Sequence, residues 1–330
     1  MDAPAFWYEP ALTWQSRVLA PLAWVYCAVS ARVLARRAAR PVVMGVPLVS
    51  VGNLTVGGSG KTPLTMLIAA HFSRKGYRVA VVACGSGGRV VVPTRVTAAH
   101  TAAEVGDEAK LLAKRLPDCA VWSGSSKPAT VQAAEAAGAT LVVLDDGFQR
   151  LDIPRTVNVL AVGGGGFGNG RVVPAGPLRE PPVAACRADV VVAMADMPPV
   201  LPDVPTFCLA PALCADTVKR LEGKPLVAFA AIARPQRFFD ALRAAGLQVV
   251  AEHGFGDHHR FGKADLQMLR ADAARQGATL ACTEKDAVKL PDGFGAIAVP
   301  LVVGGADVNE LLACLEARVA VSGRCCDHRC

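Results

Sequence analysis

The pattern of hydrophobic and polar positions divides the chain into a helical N-terminal segment and two α/β regions. Residues 14–40 predict one helical region, in which 18–31 carry no charge and arginines follow at once. From residue 47, short apolar runs of strand length alternate with helix-length segments, which favours a mostly parallel sheet covered by helices on both faces. The predicted strands are 48–51, 79–82, 141–144, 157–162, 190–194 and 226–230, and the predicted helices are 63–75, 104–115 and 236–245.

Composition and charge narrow the class of protein. With 52% apolar and 19% charged residues, the chain is not a disordered one, and no uninterrupted apolar span reaches the roughly 18 residues of a transmembrane helix. A net charge of +7 attracts nucleic acid, anionic lipid or an anionic substrate. Outside the arginine-rich end of the first helix, Lys and Arg are interleaved with acids, so we expect no nucleic-acid partner.

The N-terminal helix is open to two interpretations. Its apolar and aromatic residues, followed by four arginines at 32, 36, 37 and 40, are typical of a helix that lies in a membrane interface. The same pattern fits a hydrophobic helix packed on its own domain. Eleven cysteines are scattered through a long chain, which favours reduced thiols in the cytosol, and the crowded ligands at 325–330 fit no common zinc spacing.

The glycine-rich turn after the strand 48–51 predicts a phosphate-binding loop. Consecutive glycines let backbone amides turn inward, a lysine supplies a cation to the β and γ phosphates, and a threonine hydroxyl can ligate Mg²⁺. The usual pattern has glycine six residues before the lysine, where this chain has Thr55. A strand before the turn and a helix after it support the assignment. The residues expected to bind nucleotide are Thr55, Val56, Gly57, Gly58, Ser59, Gly60, Lys61 and Thr62.

Two pairs of acidic residues are candidates for metal and proton chemistry. Asp145 and Asp146 follow an apolar strand, as expected for carboxylates that hold Mg²⁺ directly or through water, although a solvated turn would look similar. Asp107 and Glu108 precede an apolar helical run, where acids also favour the positive end of the helix dipole. A phosphoryl-transfer site needs a carboxylate that accepts the proton of the attacking hydroxyl, so both remain candidates.

Two further segments carry polar groups on loops. His258 stands beside His259 in a loop of the second region, where it is either a surface residue or a group that shares a proton with the base. Arg179 and Glu180 lie between prolines in a turn-rich loop that presents one cation and one anion.

Eight short strings in this chain resemble the tetraacyldisaccharide 4'-kinase family, the lipid A 4'-kinases of Gram-negative bacteria. They are VGNLTVGGSGKTP at 51–63, GDE at 106–108, LDDGFQ at 144–149, FGNG at 167–170, PAGPLREP at 174–181, AIARP at 231–235, DH at 257–258 and TEKD at 283–286. The resemblance covers most of the chain, and within it the threonine at 55 is ordinary. One string departs from the family, because ACGSG at 83–87 stands where SRGYG is usual, and Arg89 is a candidate to replace the missing arginine.

The resemblance implies transfer of the ATP γ-phosphoryl group to the 4'-hydroxyl of a tetraacylated glucosamine disaccharide 1-phosphate. Lys61 is implied in catalysis, with Asp107 as base beside His258. Thr62, Glu108, Asp145 and Asp146 are implied around Mg²⁺, and Asn53, Arg179 and Glu180 at the substrate. The family works at the cytoplasmic face of the inner membrane, which favours the interfacial interpretation of the first helix. A membrane-associated nucleotide switch is the alternative, although the chain lacks the Asn-Lys-x-Asp spacing of a GTP-reading form.

The expected fold is therefore a P-loop NTPase-type α/β core with a mostly parallel sheet, a smaller α/β lobe and an N-terminal membrane-interface helix. The proline-rich run 198–211 marks the passage between lobes, because proline cannot donate to a sheet ladder. We expect a membrane-associated helical segment at 1–40, the core at 41–215, a second lobe that closes the cleft at 216–318 and a disordered cysteine-rich tail at 319–330. The sequence does not indicate the oligomeric state.

Overall fold

The structure, a computed structural model, describes residues 4–9, 11–83, 87–194, 203–257 and 259–326, with side chains described as far as residue 321. The helices in these ranges are α1 Trp14–Ala38, α2 Lys61–Arg74, α3 Ala102–Val105, α4 Asp107–Arg115, α5 Lys127–Ala136, α6 Ala215–Leu221, α7 Pro235–Ala244, α8 Lys263–Arg275, α9 Glu284–Ala287 and α10 Val308–Cys326. The strands are β1 Leu48–Gly52, β2 Val79–Val82, β3 Thr94–Arg95, β4 Ala120–Ser123, β5 Leu141–Asp145, β6 Val157–Val162, β7 Val190–Ala193, β8 Thr206–Cys208, β9 Ala210–Leu213, β10 Leu226–Ala230, β11 Val249–Gly254, β12 Thr279–Thr283, β13 Ile297–Val299 and β14 Leu301–Gly304. Short 3-10 turns occupy Ala5–Tyr8 and Pro182–Arg187.

The first lobe is built on an eight-stranded sheet in the order β3-β4-β2-β5-β1-β6-β7-β8. Every neighbouring pair is parallel except β3 with β4. All residues of β1 and β5 are buried, because helices cover both faces of the sheet. The predicted mostly parallel α/β sheet is confirmed, and the carboxyl ends of β1 and β5 lie next to each other at its centre.

Helices on the two faces of this sheet form separate cores. On one face, Leu64 and Phe72 of α2, Leu112 of α4 and Leu315 of α10 belong to one cluster of buried side chains. On the other face, α5 packs against β2 and β5 through Val131. The apolar spacing on α2 and α4 follows the helical period, so each helix packs one face against the sheet.

The second lobe is a four-stranded parallel sheet in the order β11-β10-β12-β13. Phe239 of α7 belongs to the core on one face, and Leu269 of α8 belongs to the core on the other. A two-stranded antiparallel pair of β9 and β14 carries the chain between lobes. The predicted passage at 198–211 overlaps β8 and β9, while residues 195–202 lie outside the described ranges.

The C-terminal boundary differs from the one expected at 216–318. Helix α10 returns to the first lobe, where Leu311, Leu315 and Val319 join the core cluster on the α2 face. The helix continues to Cys326, so residues 319–326 are helical where the sequence predicted a disordered tail, and residues 327–330 lie outside the described ranges. Leu311, Leu315 and Val319 recur at the helical spacing of four residues, so one face of α10 packs on the core as far as Val319.

Two predicted helices differ from the observed ones in detail. Helix α2 begins at Lys61 instead of 63, because the left-handed Gly60 caps it and Pro63 falls in the first turn, where a missing N–H is harmless. The single helix expected over 104–115 is two helices, separated at Gly106 with φ of 93°. That break makes Asp107 the first residue of α4.

Candidate active site

The phosphate-binding loop leaves the buried end of β1 and leads directly into α2. Gly57 and Gly60 have φ of 101° and 77°, backbone conformations that glycine adopts at little cost. The loop is held from outside, since Val56 N donates to Pro177 O at 2.8 Å and Arg179 N donates to Leu54 O at 2.7 Å. The amides of the first turn of α2 thereby form the positive end of a helix dipole, which is the usual place for a bound phosphate.

Lys61 lies at the centre of the polar groups around this loop. Its Nζ donates to Asn53 Oδ1 at 2.9 Å and forms an ion pair with Asp146 Oδ1 at 3.2 Å. Asn53 is fully buried and donates through Nδ2 to Thr55 O at 2.8 Å, so it fixes the start of the loop. Thr62 follows in the first helical turn and is half-buried. The structure therefore brings the predicted loop residues and one predicted metal-binding carboxylate together.

The two acids at the end of β5 have opposite electrostatic environments. Asp145 is 1% exposed and accepts a hydrogen bond from Thr65 Oγ1 at 2.9 Å. Burial, and next the negative charge of Glu108, raise its pKa to about 6. For Asp146, burial also acts to raise the pKa, but the cations of Lys61, Arg179 and Lys127 outweigh it and hold the pKa well below its usual range.

Asp146 adopts an uncommon backbone conformation for a residue with a side chain. Its φ is 50°, in the left-handed region. Lys127 supports this turn, because its Nζ donates to the backbone oxygens of Asp145 at 2.6 Å and Asp146 at 2.7 Å. Lys127 is itself only 7% exposed and stands at the first position of α5. Sequence reasoning missed this lysine, although Ser126 as a cap and Pro128 in the first turn signal a helix start there.

Arg179 and Glu180 are adjacent in sequence but have different surroundings. Arg179 Nη1 lies 3.0 Å from both carboxylate oxygens of Asp146. Glu180 is 4% exposed, and its Oε1 accepts from Arg187 Nη2 at 2.7 Å and from Gln149 Nε2 at 3.1 Å. Its described hydrogen bonds thus stabilise the loop around Gln149. The predicted substrate contacts of Asn53, Arg179 and Glu180 stay predictions.

The first turn of α4 lies near Asp145 at the end of β5. Asp107 and Glu108 are both in that turn, which also satisfies the helix-dipole interpretation of the sequence. Glu108 lies close enough to Asp145 for its charge to raise the pKa of that carboxyl, and its Oε1 is 3.2 Å from Lys285 Nζ in the second lobe. The assignment of Asp107 as base stays a prediction.

A cavity of about 560 Å³ opens beside Asp146, between α1 and the carboxyl edge of the sheet. One wall is largely apolar and comes from α1, with Tyr26, Val29, Val33 and Leu34. The remaining lining groups are Ser30, Arg37, Gly124, Ser125, Lys127, Asp146, Gln149, Arg150 and Arg179. Four cations against one carboxylate suit a ligand that is both amphipathic and anionic.

Helix α1 is attached to the core at its N-terminal end and along the cavity. Ser16 Oγ donates to Ala175 O at 2.9 Å and accepts from Asn169 Nδ2 at 2.9 Å, while Arg37 Nη1 donates to Gln149 O at 3.1 Å. Most of its surface is nonetheless exposed, including Trp24 at 84%. This exposure argues against a helix packed within its own domain.

Helix α1 is, among the described residues, the one helix long and apolar enough to cross a membrane. Only 11% of its most apolar stretch of 18 residues is buried within the protein. Its charge-free stretch is nevertheless only 18–31. At about 1.5 Å per residue that stretch spans about 21 Å, less than the roughly 30 Å of a bilayer hydrocarbon core.

Several predicted residues lie outside this constellation. His258 and the departure at 84–86 fall outside the described residues. The neighbouring His259 pairs with Asp265 Oδ2 at 2.9 Å and stacks on Phe255 with ring centres 5.0 Å apart. Arg89 is exposed, and its charge acts on Glu104, whose pKa is lowered first by hydrogen bonds from Thr101.

The donor set fits Mg²⁺ and a nucleotide. Thr62, Glu108, Asp145 and Asp146 supply only oxygen atoms, which Mg²⁺ prefers. Within the described ranges, His, Cys, Asp and Glu side chains form no group of three or more that would hold a metal by themselves. Mg²⁺ usually keeps several waters and binds through one or two carboxylates together with substrate phosphates.

Comparison with known proteins gives a consistent result. A model of the family LpxK, tetraacyldisaccharide-1-P 4'-kinase, matches residues 15–319. A tetraacyldisaccharide 4'-kinase of Gluconacetobacter diazotrophicus is 42% identical over 307 residues, covering 90% of this chain and 91% of that protein. One of Rhodospirillum centenum is 43% identical over 313 residues, covering 88% of each. The crystal structure of "apo" form LpxK from Aquifex aeolicus in complex with ATP superposes with a TM-score of 0.76 at 25% identity, covering 92% of this chain and 99% of that one.

Proposed function

The chain belongs to the tetraacyldisaccharide-1-P 4'-kinase family, and from that premise we propose that it transfers the γ-phosphoryl group of ATP to the 4'-hydroxyl of a tetraacylated glucosamine disaccharide 1-phosphate. The observation that carries the proposal is the position of the cavity. The cavity is lined on one side by apolar residues of α1 and on another by Asp146, which forms an ion pair with Lys61 of the phosphate loop. One site therefore offers a place for triphosphate beside a place for an amphipathic acceptor.

The donor nucleotide is held by the loop 55–62 and the first turn of α2. The loop amides and Lys61 bind phosphate oxygens, and Thr62 with Asp145 and Asp146 holds the metal. Mg²⁺ held by these oxygen atoms would supply positive charge that offsets the negative charge developing on the transferred phosphoryl group. In this arrangement Lys61 exchanges its ion pair with Asp146 for phosphate, while Arg179 keeps its direct ion pair with that carboxylate.

The acceptor occupies the cavity between α1 and the sheet edge. Its acyl chains lie along the apolar wall formed by α1, and its sugar faces the polar wall near Asp146. Arg37 and Arg150, which line the same cavity, supply cations for the anionic headgroup. Exclusion of water by the apolar wall favours transfer to the sugar hydroxyl over hydrolysis.

Proton transfer is assigned to the first turn of α4. The Asp107 carboxylate accepts the proton of the 4'-hydroxyl as that oxygen bonds to the γ phosphorus and the bond to the β–γ bridging oxygen breaks, releasing ADP. His258 shares the proton with Asp107. Glu108 lies next to Asp145 and contributes to the metal environment.

The enzyme works at the cytoplasmic face of the bacterial inner membrane, with α1 in the interface. Exposed apolar groups on α1, including Trp24 and Val25, enter the boundary between headgroups and acyl chains. Arginines 32, 36, 37 and 40 meet lipid phosphates. The short charge-free stretch supports an interfacial position over a complete span, and a lipid with four acyl chains reaches the cavity without leaving the bilayer.

Transfer of label from γ-labelled ATP to the lipid acceptor in mixed micelles tests this function. We expect Mg²⁺-dependent labelling of the lipid and a loss of about 10²- to 10⁴-fold in turnover for Asp107→Asn, the range for removal of a general base. Asp118→Asn, a change of the same kind on an exposed residue, should leave turnover intact. Release of labelled inorganic phosphate with no labelled lipid would instead favour a nucleotide switch.

A further inference from the structure

The segment Thr283 to Asp286 has no role in the proposed reaction, yet its last residue is among the most buried charges in the protein. Asp286 has no exposed surface. Its Oδ2 accepts from Ala231 N at 3.0 Å and Thr283 Oγ1 at 2.6 Å, and its Oδ1 lies 2.7 Å from Lys289 Nζ. These contacts fix the short helix α9 to the sheet of the second lobe.

The two residues before Asp286 both contact α4 of the first lobe. Glu284 Oε1 lies 2.9 Å from Arg115 Nη1, and Lys285 Nζ lies 3.2 Å from Glu108 Oε1. Arg115 is the last residue of α4 and Glu108 is the second. Residues seven apart lie on the same face of a helix, about 10 Å apart along its axis.

The two ion pairs have opposite polarity, and this restricts how the helices can fit together. The acidic Glu284 of α9 pairs with the basic Arg115 at the C-terminal end of α4. The basic Lys285 of α9 pairs with the acidic Glu108 at the N-terminal end of α4. Sliding or turning α4 would separate both pairs. All four side chains are one-third exposed or less, so solvent only partly screens the contacts.

The first turn of α4 needs such support from outside. Gly106, with φ of 93°, separates α4 from α3, so no continuous helix holds that turn in place. The end of α3 and Gly106 pass directly against Gly88, where an added Cβ would lie 2.8 Å from backbone atoms, so the chain is tightly packed at the point where the helix is interrupted.

We propose that α9 is a two-point clamp by which the second lobe positions Asp107 and Glu108, with Glu284 and Lys285 as positioning residues for the reaction. The proposal rests on the proposed function for the roles of Asp107 and Glu108. The contacts between α9 and α4 stand independently of those roles. Lys285 sets the rotation of the turn through Glu108, and Glu284 sets the axial position through Arg115.

Charge reversal of the outer pair tests the clamp without altering any residue of the reaction site. Arg115→Glu and Glu284→Arg each replace an attraction by a repulsion, and the two together restore an attraction of reversed polarity. We expect each single variant to lower kcat about fivefold or more, with KM for ATP within about twofold of the native value, and the double variant to recover most of the loss. Lys285→Met should resemble the single variants, and Lys285→Arg should keep most of the activity.

Amide hydrogen exchange of residues 107–115 supplies a readout that does not need lipid phosphorylation. Exchange should be faster in each single variant and slow again in the double variant. If the native protein labels no lipid but shows this exchange pattern, the proposed function fails and the clamp stands. The clamp is overturned if single reversals leave kcat and exchange unchanged, or if the double variant is no better than the worse single one.

Discussion

Replacement of Asp145 by asparagine should stabilise the metal-free protein at neutral pH. Asp145 is buried at the end of β5, where its carboxyl accepts a hydrogen bond from Thr65. An asparagine has the same shape and retains an oxygen to accept that bond, but it carries no charge into the buried site. Residues that hold a metal or a substrate commonly reduce the stability of the empty protein, and Asp145 provides a measurable case.

The size of the effect follows from the pKa of Asp145. Burial and the charge of Glu108 raise the pKa from 3.8 to about 6, and the difference corresponds to about 3 kcal/mol at 1.36 kcal/mol per pH unit. Because the folded pKa is above the unfolded one, the folded chain binds more protons between about pH 4 and pH 6, and stability falls as pH rises through that interval. Above about pH 7 the free energy of unfolding of the native protein is therefore lower by the full amount of about 3 kcal/mol.

Thermal unfolding in buffer with EDTA and without nucleotide measures this difference. The melting temperature of Asp145→Asn should exceed that of the native protein at pH 8, and the gap should narrow as pH falls toward 4.5. Asp152→Asn is the matched control, since it removes an ion pair with Arg150 at 2.6 Å and should lower the melting temperature. A gap that is absent at pH 8, or that does not change with pH, would refute the electrostatic reasoning.

Three further substitutions test separate parts of the account. Lys127→Met should lower turnover about 10- to 100-fold and raise the Mg²⁺ concentration needed for half-maximal rate. The reason is that the backbone carbonyls of Asp145 and Asp146 lose buried charge-assisted hydrogen bonds. Direct Mn²⁺ binding followed by electron paramagnetic resonance checks this prediction, and an unchanged Mn²⁺ affinity would contradict it. Gly60→Ala should weaken ATP binding in a calorimetric titration, since φ of 77° costs a side chain about 1–2 kcal/mol and the new Cβ would lie 3.0 Å from Met194 Cγ. Trp24→Asp should reduce flotation with anionic vesicles without changing ATP affinity, because that side chain is 84% exposed on α1; equal flotation would count against interfacial binding.

The central features of the site were accessible from the sequence because each depends on local pattern. A buried strand followed by glycines and Lys61 predicts a phosphate loop, and a second buried strand ending in Asp145 and Asp146 predicts carboxylates. Parallel strands present their carboxyl ends at one edge, so these groups had to lie on the same side of the sheet. The observed ion pair between Lys61 and Asp146 agrees with that expectation.

Features that depend on tertiary contacts were not accessible in this way. The role of Lys127 requires knowing that α5 begins beside the end of β5, which no local pattern specifies. Gly106 interrupts a segment whose other residues favour a helix, and its consequence for Asp107 appears only in the folded backbone. The return of α10 to the first lobe depends on pairing of β14 with β9, two strands widely separated in sequence.

The position of the phosphate on the lipid product tests the central claim most directly. The purified protein is incubated with ATP, Mg²⁺ and tetraacylated glucosamine disaccharide 1-phosphate, and the product is examined by mass spectrometry and phosphorus NMR. The account predicts one added phosphate, on the 4'-oxygen, with a matching amount of ADP. A lipid recovered unchanged while ATP is consumed, or one phosphorylated at another oxygen, would contradict it.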